Sequence, residues 1–208
     1  HGTVDETFAT LRPDGTVGPR AGNVGPPVDP AVTTRVVEFN DVAALERELA
    51  KGDVACVLAE PAMTNIGIVL PDPGFHEALR TLTRKYGTLL VNDETHTISA
   101  GPGGATRAWK LEPDLLTIGK PLASGVPAAV FGFTAEVARR WKARTELDLS
   151  DTGGIGGTLA GNALALAAMR ATLTQVLTEE AYGRMIPLAE RFAAGVEGVI
   201  AEHGLPWI

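Results

Sequence analysis

The chain has 208 residues, 45% hydrophobic and 21% charged, with a net charge of −7 and a pI near 5.1. That length supports one large domain, or one and a half average ones, with a sizeable core. The acidic balance argues against a general nucleic-acid or anionic-membrane surface.

Residues 1–33 are rich in Gly, Pro, Asp and Thr without a sustained period, the composition of a long irregular segment, functional or mobile. Arg35–Phe39 predicts a strand. Asn40 or Asp41 caps a helix through Ala50, with Val42, Leu45 and Leu49 on one face. Val54–Ala59 predicts the next strand. Within it lies Cys56, the single cysteine, which reads as a small buried hydrophobe and suits a reducing cytoplasm. A turn-rich loop leads to Pro73, and a helix over 74–86 places Phe75, Leu79 and Leu82 at helical spacing before Gly87 ends it.

Strands follow at 88–92, 114–118 and 128–133, then a helix carrying Val137 and Trp141. Trp109 and Trp141 read as core residues. Two further helices span 158–178 and 179–202, with Pro187 marking a break or kink. The uncharged stretch Thr152–Met169 holds too many glycines for a membrane span and reads as a loop entering an Ala-rich helix. Strands alternating with helices predict an α/β protein with a parallel sheet and right-handed crossovers. The start at His1 without methionine, and the stop at Pro206-Trp207-Ile208, read as cuts through a larger protein.

Two apolar runs carry the chemistry. Thr88–Asn92 stops at Asp93, and Pro113–Gly119 stops at Lys120. Such runs read as buried strands that deliver their last residues to the carboxyl edge of the sheet, where open α/β folds bind ligands. A carboxylate and an amine delivered together are what pyridoxal phosphate needs: an anion beside its pyridine nitrogen and a lysine for a Schiff base. Each residue taken alone has a plainer role, Asp93 as a turn cap and Lys120 as a solvated lysine. No metal-ligand spacing and no Ser-His-Asp signature is present.

The same residues carry a family resemblance. Glu60-Pro61-Ala62-Met63-Thr64-Asn65-Ile66-Gly67, Asp93-Glu94-Thr95-His96-Thr97, Gly119-Lys120-Pro121 with Gly125-Val126-Pro127, and Thr158-Leu159-Ala160-Gly161-Asn162 follow one another in the order of the class III aminotransferases. The chain most resembles the branch holding glutamate-1-semialdehyde aminomutase and its aminotransferase relatives. His1-Gly2 resembles the end of a Tyr-His-Gly motif. The resemblance implies the large domain of the fold-type I transferases: a mostly parallel sheet flanked by helices, over 34–178. It also implies a gating segment over 1–33 and a helix at 179–208 leading toward a small domain.

It further implies pyridoxal 5'-phosphate as cofactor, with roles residue by residue. Asp93 would keep the pyridine nitrogen protonated. Lys120 would form the Schiff base and then carry the proton between substrate and cofactor. Asn65, 28 residues before Asp93, would hydrogen-bond the cofactor's phenolic oxygen, as in the aminomutases; its plainer role is an Asx turn. Thr95 stands at a ring-packing position that is usually valine. His96 would donate to the phenolic oxygen or to Asp93, or is simply solvated. Thr158, in a glycine-rich loop before a helix, would reach the phosphate of the partner subunit's cofactor and so imply a homodimer; it also suits a helix N-cap.

These residues serve two reactions on small-molecule amino donors and acceptors. An aminotransferase passes the amino group from an amino acid or amine to a keto acid or aldehyde. An aminomutase returns it to the neighbouring carbon of the same molecule. The departure of Asp93–Ser99 from an Asp-Glu-Val-x-Thr-Gly pattern leans toward the aminotransferase. A non-catalytic fragment or scaffold module is the reading from a different class.

Overall fold

The computed structural model describes residues 9–20, 29–144, 155–156 and 159–206. The chain divides into two compact units, His1–Asp93 and Glu94–Ile208.

In the first unit, β1 (Ala9–Leu11) and β2 (Val17–Pro19) pair antiparallel. Gly15 takes a positive φ in the turn, and the Asp14 carboxylate accepts from the Thr16 amide at 2.9 Å and hydroxyl at 2.7 Å. The segment expected to be irregular therefore contains a hairpin closed by Asx-turn chemistry. Helix α1 (Val42–Leu49) is capped by Asp41, whose Oδ1 accepts from the Ala44 amide at 2.8 Å. Strand β3 (Cys56–Ala59) pairs in parallel with β4 (Leu89–Asp93), with Cys56 opposite Leu89 and Ala59 opposite Asn92. Helix α2 (Phe75–Lys85) is the crossover between them.

The core of this unit follows from helical spacing. Leu45 and Leu49 of α1 meet Phe75, Leu79 and Leu82 of α2 and Leu90 of β4. Phe39 tilts against Phe75 with ring centroids 4.7 Å apart. Leu79 is almost completely buried at its centre, so Leu79→Ala is expected to cost about 2–5 kcal/mol, read as a lower denaturant midpoint.

Two expectations fail here. Residues 35–39 form no strand; Val37 and Phe39 pack against the core by side chain, while Arg35 forks onto Asp53 at 2.6 Å through each of two nitrogens. Cys56 is exposed. β3 alternates, with Val57 packed against the core and Cys56 and Leu58 on the open face, so a short apolar run that reads as buried on both sides is covered on only one.

In the second unit a 3-10 turn (Thr97–Ala100) and α3 (Gly104–Ala108) precede β5 (Leu115–Ile118). A second 3-10 turn (Lys120–Ala123) leads to β6 (Val130–Phe133), which runs antiparallel to β5. The eleven residues 119–129 are too few for the dozen or more that a parallel crossover needs, so the chain doubles back. The mostly parallel arrangement expected from alternation therefore has its exception at β6.

Helix α4 (Ala135–Lys142) follows, capped by Thr134. Helix α5 (Ala163–Ala171) is capped by Asn162 and continues into a π-helical turn (Thr172–Val176). Helix α6 (Glu179–His203) runs through Pro187 without a break and ends at Gly204 in a left-handed C-cap. Trp109 is 43% exposed, so it is not the core residue it was expected to be; Trp141 is half-buried. Among the described residues no helix is long and apolar enough to cross a membrane.

Candidate active site

Asp93 is the last residue of β4 and is buried, the strand-end placement its apolar run predicted. In the same unit, Asn65 lies at the exposed tip of a loop following β3. Met63 and Val69 close that tip by exchanging backbone hydrogen bonds of 3.0 and 2.9 Å. Gly67 takes a φ of +97° in between, a conformation that disfavours any side chain.

Three side chains hold the base of this loop. Glu60 Oε2 accepts from the Thr64 hydroxyl at 2.5 Å. Asn40 sits at a φ of +72°, where asparagine is among the few tolerated non-glycine residues. Its amide nitrogen donates to the Leu70 carbonyl at 3.0 Å and its oxygen accepts from the Asp72 amide at 2.9 Å. The His76 Nε2 lies 2.9 Å from the Pro61 carbonyl; a carbonyl only accepts, so Nε2 carries the proton.

Burial holds His76 below its ordinary value of 6.5, against the Pro61 bond and Glu77, which raise it. The unfolded chain therefore binds the extra proton first. Stability from this residue is complete above pH 6.5 and is lost as pH falls through the lowered folded value. Denaturant midpoints measured from pH 7.5 to 5 are expected to fall less steeply in His76→Gln than in the parent.

In the second unit, Thr95 and His96 form a half-buried turn. The Thr95 hydroxyl accepts from the Gly119 amide at 3.1 Å, and the Glu94 amide donates to the Thr117 carbonyl at 2.8 Å. The turn that follows Asp93 in sequence is thereby fastened to the end of β5, where Lys120 begins. The His96 carbonyl accepts from the Ser99 amide at 3.1 Å and hydroxyl at 2.7 Å, so His96 also opens the 3-10 turn.

Lys120 is exposed and takes a φ of +34°, a left-handed conformation that costs a residue with a Cβ about 1–2 kcal/mol. Behind it, Leu122 and Ala123 are buried. Ser124, also left-handed, lies 3.0 Å from Thr172 through their hydroxyls, which ties the lysine turn to the start of the π-helical segment. Thr158 lies outside the described residues.

Sequence reasoning passed over Glu94. This residue is fully buried. Oε2 accepts from the Thr97 hydroxyl at 2.5 Å and the Ala105 amide at 3.2 Å, and Oε1 accepts from the Thr106 amide. The signal was present as Glu94 followed three residues later by Thr97, with Gly103-Gly104 opening a helix that has no capping side chain of its own.

Comparison with known proteins identifies the family. Residues 21–201 match the family described as aminotransferase class III. Glutamate-1-semialdehyde 2,1-aminomutases from Desulfitobacterium hafniense and Neisseria gonorrhoeae are 37% and 36% identical over 88% of this chain. The chain spans 42% of the length of these curated relatives. A crystal structure of a glutamate-1-semialdehyde aminomutase from Pseudomonas aeruginosa superposes with a TM-score of 0.92 at 50% identity, covering all of this chain and 47% of that one. An ω-transaminase from Sphaerobacter thermophilus reaches 0.76 at 30% identity, over 99% of this chain and 48% of its own. The fold is accordingly that of the fold-type I transferase large domain, and the chain belongs to the class III aminotransferase family.

Proposed function

We propose that the protein is a pyridoxal 5'-phosphate enzyme that moves an amino group from an amino acid or amine, with Lys120 as its reactive amine and Asp93 as the partner of the cofactor's ring nitrogen. The observation that carries this reading is the Gly119–Thr95 hydrogen bond of 3.1 Å, because it fastens the Glu94-Thr95-His96 turn to the Gly119-Lys120 motif. A solved variant of the Pseudomonas enzyme in which a lysine is replaced by alanine holds PMP, and a transaminase at 25% identity and a TM-score of 0.81 holds PLP. Both support the cofactor assignment.

The donor chemistry fits the cofactor. Asp93 offers a buried carboxylate at a strand end and Lys120 an exposed amine at the end of the next strand. When bound, pyridoxal phosphate supplies an aldehyde that condenses with amines and a ring that draws electrons from the substrate's α-carbon. Asp93 keeps a positive charge on the ring nitrogen through an adjacent opposite charge. With the cofactor bound, the Lys120 amine would carry the proton between the substrate carbon and the cofactor. Asn65 hydrogen-bonds the phenolic oxygen, Thr95 packs on the ring, and His96 donates to the phenolic oxygen or to Asp93. Thr158 serves the partner subunit's phosphate in a cytoplasmic homodimer.

A second reading is favoured by a specific observation: relatives at 36–50% identity carry the name of an aminomutase. One experiment separates the two. The full-length protein, loaded with cofactor, is incubated with glutamate 1-semialdehyde alone, and separately with ¹⁵N-labelled amine donors plus pyruvate or 2-oxoglutarate. An isomer of unchanged mass from the first incubation identifies the aminomutase, and label in the amino acid formed from the keto acid in the second identifies the aminotransferase. If neither appears and no visible absorption develops with the cofactor, the enzymatic reading is wrong.

A further inference from the structure

The turn bearing Thr95 and His96 is held by a group that contributes nothing to the proposed chemistry. Glu94 is fully buried, and its carboxylate oxygens accept from the Thr97 hydroxyl, the Ala105 amide and the Thr106 amide. Those two amides are the second and third of α3, among the first-turn donors that a helix cannot satisfy internally. The helix has Gly103 at its N-cap and no side-chain cap hydrogen bond there, so Glu94 supplies the cap from another element. A Cβ on Gly104 would overlap the same carboxylate, and Gly104 also has a positive φ. The backbone of Glu94 is pinned as well: its amide donates to the Thr117 carbonyl at 2.8 Å and its carbonyl accepts from the Ile98 amide at 2.9 Å. Tyr182 completes the surroundings, donating to the Ile98 carbonyl at 2.7 Å; burial, then Glu94, raises its pKa.

We propose that Glu94 is a positioning residue: its buried carboxylate, by capping α3 and gripping Thr97, sets the conformation of the Thr95–His96 turn that the cofactor ring meets. This rests on the pyridoxal phosphate reading given above. A residue so placed is anchored at both ends, by its main chain to β5 and by its side chain to α3. The turn so held keeps the Thr95 hydroxyl on the Gly119 amide. Glutamine is isosteric but confronts the amide and hydroxyl donors with an NH₂ group of its own, and a buried donor left facing donors is costly.

The test uses the full-length protein as Glu94→Gln, Thr97→Val, Thr97→Ser and, as a control for general destabilisation, Leu79→Ala. With pyridoxal phosphate added, Glu94→Gln is expected to weaken cofactor binding roughly tenfold or more, the loss that follows when buried donors are unpaired. It is also expected to shift the visible band and the pH midpoint of that band. Thr97→Val should move the same readouts less, Thr97→Ser should restore them, and Leu79→Ala should lower thermal stability while leaving band and midpoint unchanged. Folded Glu94→Gln protein with the parent's affinity, band and midpoint would overturn the proposal, as would a Leu79→Ala variant that shifts them equally. Hydrogen exchange of residues 95–106 in cofactor-free protein keeps the two readings separable. If the parent develops no visible band, the pyridoxal phosphate reading fails by itself. Faster exchange in Glu94→Gln then still supports the hold on the turn, and unchanged exchange refutes it.

Discussion

Lys120→Ala is expected to abolish borohydride-stable attachment of pyridoxal phosphate and to lower turnover by about 10²–10⁴-fold, the range for removing a positioned acid–base group. The residue combines an exposed amine with a left-handed backbone at the start of a 3-10 turn. Reduction with borohydride followed by peptide mapping reads the attachment directly. Retained labelling at another lysine would sink the assignment. The backbone gives a second, cofactor-free readout. Glycine at 120 relieves about 1–2 kcal/mol of left-handed strain against about 0.5–1 kcal/mol of added chain entropy. Cofactor-free Lys120→Gly should therefore unfold at a slightly higher denaturant concentration than Lys120→Ala.

Asp93→Asn should keep most cofactor affinity and lose about 10²–10³-fold in turnover, the scale for deleting one preorganised electrostatic partner. The side chain is buried at the end of β4, so asparagine preserves its shape while removing the charge and turning one acceptor oxygen into a donor. The comparison to make is kcat against cofactor dissociation constant. A variant within tenfold of the parent in kcat would remove the role assigned to this carboxylate. A variant that lost cofactor and turnover together would mean that Asp93 binds rather than activates.

The placement of Asp93 and Lys120 was legible because strand ends are marked by where apolar runs stop. The helices α1 and α2 were legible because Leu45 and Leu49, and Phe75, Leu79 and Leu82, repeat at helical spacing. What failed depended on neighbours that a local pattern does not contain. Residues 35–39 have strand composition, but a strand needs a partner ladder, and their side chains found the core without one. Cys56 sits in an apolar run whose second face stays open. The direction of β6 was set by connection length rather than by the strand's own residues. Asn40 was legible only as a possible cap; its left-handed backbone and its two bonds to the Asn65 loop join positions 30 and 32 residues apart. Glu94 stayed hidden because a glutamate in a motif looks like a solvated neighbour until its oxygens are seen to end on α3.

The π-helical turn after α5 has a consequence of its own for how this chain tolerates change in length. Its amide at Leu177 reaches back five residues to the Thr172 carbonyl at 2.9 Å, so the turn holds more residues than an α-turn would. Thr172, which opens it, is buried and meets the Ser124 hydroxyl behind the lysine turn. Removing any one residue between 173 and 176 would take out that surplus and let the segment regularise into α-helix, whereas the same deletion inside α5 would rotate everything after it by about a quarter turn. The stretch is thus where the chain can absorb a change of length: exposed Leu173 and Val176 can be exchanged for other side chains, and losing one residue here disturbs the helix less than losing one from α5.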